Sequence, residues 1–341
     1  MGGDRIVTGS PGALVDRFGR VHRDLRISLT DRCSLRCTYC MPEEGVEWLA
    51  KDNILTTDEL ARVAEVAASL GITEVRLTGG EPLLRRDVVD VVARMAAIEG
   101  PEGPLEVSMT TNALALPKLA RPLRDAGLAR VNISIDTLRR DRFADLTRRD
   151  RLDDTLAGIE AARAVGFAPV KFNAVAMRGV NDDEVVDLVR FAVERDAEMR
   201  FIEQMPLDAG HIWSRVEMVR GQEILDALRA AFTLEPVGDR GASPAEIFRV
   251  DGGPATVGVI ASVTAPFCGA CDRVRLTADG QIRNCLFARE ESDLLPLLRG
   301  DAGDDDIADL LRRAIAGKLP GHGIDEPGFL QPQRPMSAIG G

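Results

Sequence analysis

The sequence predicts an α/β protein, a partial (β/α)6 TIM-like barrel followed by a C-terminal α+β domain. Two observations predict the barrel: short β-rich runs alternate with amphipathic helical patterns six times between residues 24 and 203, and their spacing is regular. A third observation predicts the second domain, because the alternation stops after residue 204 and a hairpin signal appears at Asp279–Gly280. We place the boundary at residue 237, which gives domains 1–237 and 238–341.

Six strand–helix units imply a parallel sheet, because parallel neighbours need a crossover connection between them. A doubly wound sheet obeys the same rule, but the regular spacing favours the incomplete barrel. In both folds the chemistry is expected at the carboxyl ends of the strands. The predicted strands are DLRISLT (24–30), ITEVRLT (72–78), LEVSMT (105–110), RVNISI (130–135), PVKFNAVA (169–176) and EMRFIE (198–203).

Capping signals mark the helices between these strands. Thr56 and Glu59 have the spacing of a capping box, and Gly71 supplies the stop of the same helix. Pro117 and Gly127 bracket another helix in the same way. Beyond residue 204 we expect a long connection, a helix near 221–231, an irregular stretch at 238–245, two helical segments near 292–317 and a tail rich in Gly and Pro.

Composition and charge narrow the class of protein. The chain has 341 residues, of which 45% are hydrophobic, so it has ample material for a core. No apolar run at the N-terminus has the form of an export signal, and none elsewhere has the length of a membrane span. We therefore expect a cytoplasmic protein without structural disulfides. The net charge of −11 argues against nucleic-acid binding, so an anionic ligand would need a local cluster of Arg and Lys.

The six cysteines form two groups of three, C-x3-C-x2-C directly after the first strand and C-x2-C-x13-C near the end. Three thiolates on a four-iron cluster leave one iron open to a ligand. Two other readings remain: cysteines buried as small apolar side chains, and zinc sites. Zinc usually requires four closed ligands, and none of the three histidines has ligand spacing to a cysteine group. They are His22, His211 and His322.

The first cysteine motif resembles that of the radical S-adenosylmethionine (SAM) superfamily. A wider set of segments resembles the GTP 3′,8-cyclase family of molybdenum-cofactor biosynthesis, in register from about residue 20 to the last residue. The resemblance implies a barrel of the radical SAM type, closed at its open side by a C-terminal domain with a second cluster. The segments are LRISLTDRCSLRCTYCMP, VRLTGGEPLLRRD, VNISIDTL, RFIEQMP, FCGACDRVRLTADGQIRNCLF and the terminal SAIGG.

For the first group, the resemblance implies a [4Fe-4S] cluster whose open iron is chelated by SAM. One electron from such a cluster splits the sulfonium and leaves a 5′-deoxyadenosyl radical. Glu81, in TGGEP after the second strand, could pair with an ammonium group, and the glycines before it allow close approach of a ligand. The residues implied are Cys33, Cys37 and Cys40 for the cluster and Tyr39, Gly80, Ser134 and Met205 for SAM.

For the second group, strand alternation places Arg273 and Arg275 on one face, which suits phosphate oxygens. A solvated hairpin face is the alternative reading. The resemblance implies a second [4Fe-4S] cluster on Cys268, Cys271 and Cys285, whose open iron meets the guanine base of GTP. It names Cys33, Cys37, Cys40, Arg273 and Arg275 as catalytic and adds Arg26, Arg76, Thr110 and Lys171 as GTP contacts.

The implied reaction removes hydrogen from C3′ of GTP and joins C3′ to C8, giving (8S)-3′,8-cyclo-7,8-dihydroguanosine 5′-triphosphate. The resemblance also brings the Gly340–Gly341 tail into the active site, whereas a plain reading would leave it disordered. Ala113 departs from the glycine that the family commonly has after Thr110. The implied partners are GTP, a second copy of the chain, a reductant protein and a downstream cyclic pyranopterin monophosphate synthase.

Two other functions compete with the cyclase. A radical SAM peptide-modifying enzyme with auxiliary clusters would usually carry more C-terminal cysteines than three. A zinc-stabilised nucleotide- or RNA-binding module would use the arginines instead. The acidic charge and the low aromatic content, 4% with one tyrosine, count against this module.

Overall fold

The computed structural model describes residues 12–208, 210 and 213–340 of the chain. Their strands are β1 (Asp24–Ser28), β2 (Glu74–Thr78), β3 (Glu99–Gly100), β4 (Gly103–Pro104), β5 (Glu106–Thr111), β6 (Arg130–Ser134), β7 (Lys171–Ala176), β8 (Glu198–Glu203), β9 (Leu234–Pro236), β10 (Glu246–Val250), β11 (Thr256–Ile260), β12 (Arg273–Leu276), β13 (Gln281–Arg283) and β14 (Ser292–Asp293).

The α-helices lie mainly between the strands of the first two thirds of the chain. They are α1 (Thr57–Ser69), α2 (Val88–Ala96), α3 (Leu116–Asp125), α4 (Arg140–Thr147), α5 (Leu152–Ala164), α6 (Val185–Val193), α7 (Gly221–Arg229), α8 (Leu295–Arg299), α9 (Asp304–Ala316) and α10 (Met336–Ile339).

The six predicted barrel strands are confirmed as β1, β2, β5, β6, β7 and β8, which pair in this order and all in parallel. Each connection between them carries at least one helix, as a right-handed crossover requires. The fold class is therefore the partial (β/α)6 barrel that the spacing favours, and the doubly wound alternative is wrong.

The C-terminal strands extend this sheet at both edges. Strand β12 pairs in parallel with β1, and the hairpin partner β13 and then β14 follow it. At the other edge β11 pairs in parallel with β8, followed by β10 and β9. The predicted turn at Asp279–Gly280 joins β12 to β13, where Thr277 N–H donates to the carbonyl of Gln281 at 2.9 Å. The domain boundary at residue 237 stays a prediction.

The capping signals form as expected. The side chain of Thr56 accepts from Glu59 N–H at 3.2 Å, and Thr56 N–H donates to the Glu59 carboxylate at 2.7 Å. After α1, Gly71 has a φ of +90°, which only glycine adopts readily. These contacts fix where α1 begins and ends, and so set the length of the connection between the first two strands.

Alternation along the strands separates the core from the lumen of the barrel. Leu25 and Ile27 of β1 are fully buried under the helices, as are Val75 and Leu77 of β2. Burial of one such side chain contributes about 1.5–3 kcal/mol. Because successive side chains point to opposite faces, Arg26 between the two apolar residues must face the lumen. The apolar pattern that stabilises the sheet therefore also directs polar side chains inward.

Within the described ranges, every helix is too short or too polar to cross a membrane.

Candidate active site

One cavity of about 320 Å³ occupies the lumen and the carboxyl ends of the strands. All six cysteines line it, so the two groups that lie more than two hundred residues apart in sequence share one space. The four residues predicted for SAM line it as well. They are Tyr39, Gly80, Ser134 and Met205.

The loop of the first cysteine group is held against the end of α4. Arg36 N–H donates to the carbonyl of Thr147 and Thr38 N–H to that of Leu146, both at 2.9 Å. Burial raises the pKa of the Cys33 thiol to about 11 and that of Cys40 to about 12. Buried thiols of this kind lose their protons only to a ligand that takes the charge, such as iron.

The glycines of TGGEP pack closely against the backbone of residues 30–32, just before the first cysteine. A Cβ on Gly80 would lie 2.4 Å from the carbonyl oxygen of Arg32, and one on Gly79 would lie 2.5 Å from that of Thr30. Gly80 N–H donates to Thr30 O at 2.7 Å. The sequence suggested that these glycines let a ligand approach closely. In the structure the backbone of residues 30–32 approaches them instead, although Gly80 also lines the cavity.

Glu81 and Asp136 are buried carboxylates in the half of the cavity that holds the first cysteines. Glu81 accepts from Leu83 N–H, Thr111 Oγ1 and Asn112 N–H at 2.7–3.0 Å, which leaves little capacity for the ammonium group expected from the sequence. Burial raises its pKa to about 7. Asp136, which the sequence analysis missed, accepts from the Tyr39 hydroxyl at 2.9 Å and fixes the tyrosine ring.

The opposite half of the cavity is cationic. Pairing of β12 with β1 and of β1 with β2 places Arg275, Arg26 and Arg76 side by side in register. Neighbouring strands lie only about 4.8 Å apart, so three guanidinium groups crowd one face. Arg273, one layer away, is opposite Asp24 and 3.4 Å from its carboxylate. Arg273 and Arg275 are both buried, which excludes the solvated hairpin face.

The pKa values in this half show the crowding. Burial, followed by the charges of Arg26 and Arg273, lowers the pKa of Arg275 to about 9. Burial and Arg26 likewise lower the pKa of Arg76 to about 10. Burial would raise the pKa of Asp24, but the surrounding arginines outweigh it and hold the pKa below its usual value. The nearby carboxylates therefore neutralise only part of the positive charge of the guanidinium groups. A bound anion would reduce the repulsion between them.

Thr110 also lines this cavity, but Lys171 lies outside its lining. Lys171 begins β7 on the same face as Asn173, and burial followed by Arg200 lowers its pKa to about 8. Asn173 and Arg200 are among the polar residues of the lining that the sequence analysis missed. Alternation in EMRFIE could have found Arg200, because Met199 and Phe201 on either side of it are apolar.

Nearby cations distinguish the second cysteine group from the first, although burial acts to raise the thiol pKa in both groups. Burial would raise the pKa of Cys271, but Lys318 and Arg273 outweigh it and hold the pKa below the usual value. For Cys268, burial and then the charge of Cys285 raise the pKa. Cys271 therefore carries a negative charge more readily than Cys268.

No three His, Cys, Asp or Glu side chains converge on a single-ion site in the ranges that the structure describes. A single zinc ion needs its ligands at about 2.0–2.3 Å from one point. Each cysteine of a four-iron cluster binds a different iron, so its sulfurs stand further apart. Each cysteine group offers three thiols to the cavity, which is the number that a four-iron cluster with one open iron requires.

The tail reaches the cavity, because Met336 and Ser337 line it and Gly340 lies against residues of its wall. Arg275 Nη1 donates to the carbonyl of Gly340 at 2.7 Å. A Cβ on Gly340 would lie 2.7 Å from Thr78 Oγ1 and 2.8 Å from Ser28 Cβ, and its φ is +85°. Gly340 is therefore seated at the ends of β1 and β2, while Gly341 lies outside the described residues.

Ala113 keeps the backbone shape that a glycine would give. Its φ is +68°, in the left-handed region that an alanine adopts at a cost of roughly 1–2 kcal/mol. The side chain is fully buried. Surrounding packing thus holds the loop after Thr110 in place despite the missing glycine.

Comparison with known proteins shows the family of the chain. The Radical SAM superfamily matches residues 27–192, and Molybdenum Cofactor Synthesis C matches residues 197–324. A GTP 3′,8-cyclase of Streptomyces coelicolor is 59% identical over 331 residues, covering 96% of each chain. One from Mycobacterium sp. strain KMS is 56% identical and covers 99% of this chain and 97% of its own.

Among solved structures, Streptococcus suis SuiB bound to the precursor peptide SuiA aligns with a TM-score of 0.62 at 14% identity. The alignment covers 89% of this chain and 69% of SuiB, and at this identity it shows the fold alone. Fold, cysteine-lined cavity and family match together define a radical SAM protein, which implies an iron–sulfur cluster and SAM. Similarity over nearly the whole length goes further: the chain belongs to the GTP 3′,8-cyclase family.

This membership confirms the resemblance read from the motifs. It favours the cyclase over the peptide-modifying enzyme and the zinc-stabilised module. Which side chains bind which ligand stays a prediction, although the structure brings all of them except Lys171 to one cavity lining.

The seat of Gly340 generates a test. Gly340→Ala should displace the tail, because the added Cβ would collide with Thr78 and Ser28. Hydrogen exchange of the C-terminal peptide should therefore become faster. Gly328→Ala is a matched control, since Gly328 has a φ of +94° but nothing within 4 Å of its Cβ position. Equal exchange in the two variants would show that Gly340 is not seated as described.

Proposed function

We propose that the protein converts GTP to (8S)-3′,8-cyclo-7,8-dihydroguanosine 5′-triphosphate, the first step of molybdenum-cofactor synthesis. The observation that carries the proposal is the shared cavity, in which three thiols lie at one end. Three more thiols lie beside a row of arginines that are buried or half-buried, Arg275, Arg26 and Arg76. Bound cluster and SAM would supply a 5′-deoxyadenosyl radical, which removes hydrogen from C3′.

At the first site, Cys33, Cys37 and Cys40 hold the cluster. Tyr39 is fixed through its hydrogen bond to Asp136, and Gly80 is fixed through its own to Thr30. These rigid positions support contacts to SAM, with Ser134 and Met205 completing the lining. The role of this half is to orient SAM and to exclude water from the radical.

At the second site, Cys268, Cys271 and Cys285 would hold a second [4Fe-4S] cluster, which would supply a binding position for the guanine base. Arg26, Arg76, Arg273 and Arg275 bind the triphosphate, and Thr110 and Lys171 contribute further contacts. Planar guanidinium groups suit phosphate oxygens because two N–H groups can donate in parallel. Bound in this way, the ribose is held between the two cysteine groups, where C3′ can face the radical.

We further propose a homodimer in the cytoplasm that takes electrons from a reductant protein. The product would pass to a cyclic pyranopterin monophosphate synthase. These partners rest on the family resemblance alone.

The direct test is anaerobic incubation of the reconstituted protein with GTP, SAM and a reductant, followed by mass analysis. The proposal expects the cyclised nucleotide and 5′-deoxyadenosine in similar amounts. Formation of 5′-deoxyadenosine with GTP left unchanged would overturn the assignment of GTP as substrate. Omission of SAM is the control, and it should abolish both products.

Arg275→Ala and Arg273→Ala should weaken GTP binding while SAM cleavage without GTP continues. Each loses one charge-assisted contact, which is worth about 1.5–3 kcal/mol, or roughly 10- to 100-fold in affinity. Equilibrium binding of GTP measures the loss. Arg312→Ala on the exposed side of α9 removes the same charge without touching the cavity and should bind GTP normally. Lost cleavage with unchanged GTP affinity would contradict the roles proposed.

A further inference from the structure

Lys318 is a buried cation beside the second cysteine group. It follows α9 by two residues, and only 3% of its surface is exposed. Its Nζ donates to the carbonyl of Arg273 at 2.7 Å and to Cys271 Sγ at 3.4 Å. Since a buried ammonium group is costly without negative charge, its natural counter-ion is the thiolate group that it faces.

The segment around Lys318 is tied to the cysteine loop by a second contact. Arg20 Nη1 donates to the carbonyl of Cys268 at 2.6 Å, and Nη2 donates to that of Leu319 at 2.8 Å. Arg20 is itself held by the buried carboxylate of Asp16 at 2.5 Å. Lys318 therefore cannot swing away freely, because the residue after it is fastened to the same loop.

The two bonds of Lys318 join a sulfur to a substrate-binding strand. The same Nζ atom donates to Cys271 Sγ and to the carbonyl of Arg273, which begins β12. The position of the sulfur is thereby coupled to the strand that carries Arg273 and Arg275. Hydrogen bonds to ligand sulfurs and nearby positive charge are among the factors that set the reduction potential of iron–sulfur clusters.

We propose that Lys318 is a positioning residue for the second cluster: its ammonium group fixes Cys271 relative to β12 and raises the cluster's reduction potential. This inference rests on the proposed function, because it requires that the second cysteine group hold a cluster. The reason for the higher potential is that each added electron makes the cluster more negative, and the ammonium group stabilises that charge.

The test isolates the second site in full-length protein with Cys33, Cys37 and Cys40 all changed to Ser. Iron content comes first, and about four irons per chain are expected. A potentiometric titration followed by electron paramagnetic resonance then gives the potential in this background. Absence of iron in this parent contradicts the second cluster of the proposed function, and so is distinct from a failure of the role given to Lys318.

Lys318→Met in the same background keeps an apolar stem but removes the charge and the donors. Its potential should fall so that the equilibrium constant for reduction decreases about tenfold, which is about 59 mV for one electron. Lys318→Arg should stay nearer to the parent. Lys118→Met, on the exposed side of α3, is the matched control and should leave the potential unchanged.

Each result for the Lys318 variants either supports or overturns the proposal. A fully loaded Lys318→Met with the potential of the control overturns the proposal. A folded Lys318→Met that takes up no iron, beside a Lys318→Arg that does, supports the role in holding Cys271. Loss of iron in both variants overturns it, because the charge would then not be what matters. If Lys318→Met does not fold, Lys318→Gln is titrated under the same criteria.

Discussion

The row of Arg275, Arg26 and Arg76 across three adjacent strands is the constraint on which the rest of the site depends. Strand register forces these guanidinium groups onto one face, and burial of the lumen removes the water that would otherwise separate their charges. Asp24 and Glu198 offset only part of the charge, through contacts to Arg26, Arg273 and Arg200. A barrel that buries so many cations gains from a polyanion in its lumen.

Charge is divided within the cavity in a way that suits two ligands. The buried carboxylates Glu81 and Asp136 lie with the first cysteines, and burial raises the pKa of both. The arginines lie with the second group. Because the halves are continuous, a ligand in one can reach a ligand in the other without crossing solvent. Gly340 lies at the ends of β1 and β2, where its carbonyl accepts a hydrogen bond from Arg275.

Much of this could be predicted from the sequence because the signals are local. The strands, the capping box at Thr56 and the cysteine spacings each depend on residues within a few positions of one another. Strand alternation agrees with a lumen position for Arg26 and Arg76, which the family resemblance named, and it could also have found Arg200. Lys318 and Asp136 could not be found in this way, since their partners Cys271 and Tyr39 lie 47 and 97 residues away. For Glu81 the sequence suggested a ligand contact that the structure leaves little room for. Donors that cannot be read from the sequence, including two backbone N–H groups, already occupy its carboxylate.

The most direct measurement of the central claim is the affinity of the reconstituted protein for GTP, GDP, GMP and guanosine at fixed ionic strength. If the buried arginines are there to bind the triphosphate, affinity should fall along this series, by roughly tenfold or more for each phosphate that contacts a guanidinium group. Equal affinity for GTP and guanosine would contradict the account, because the arginine row would then have no part in binding.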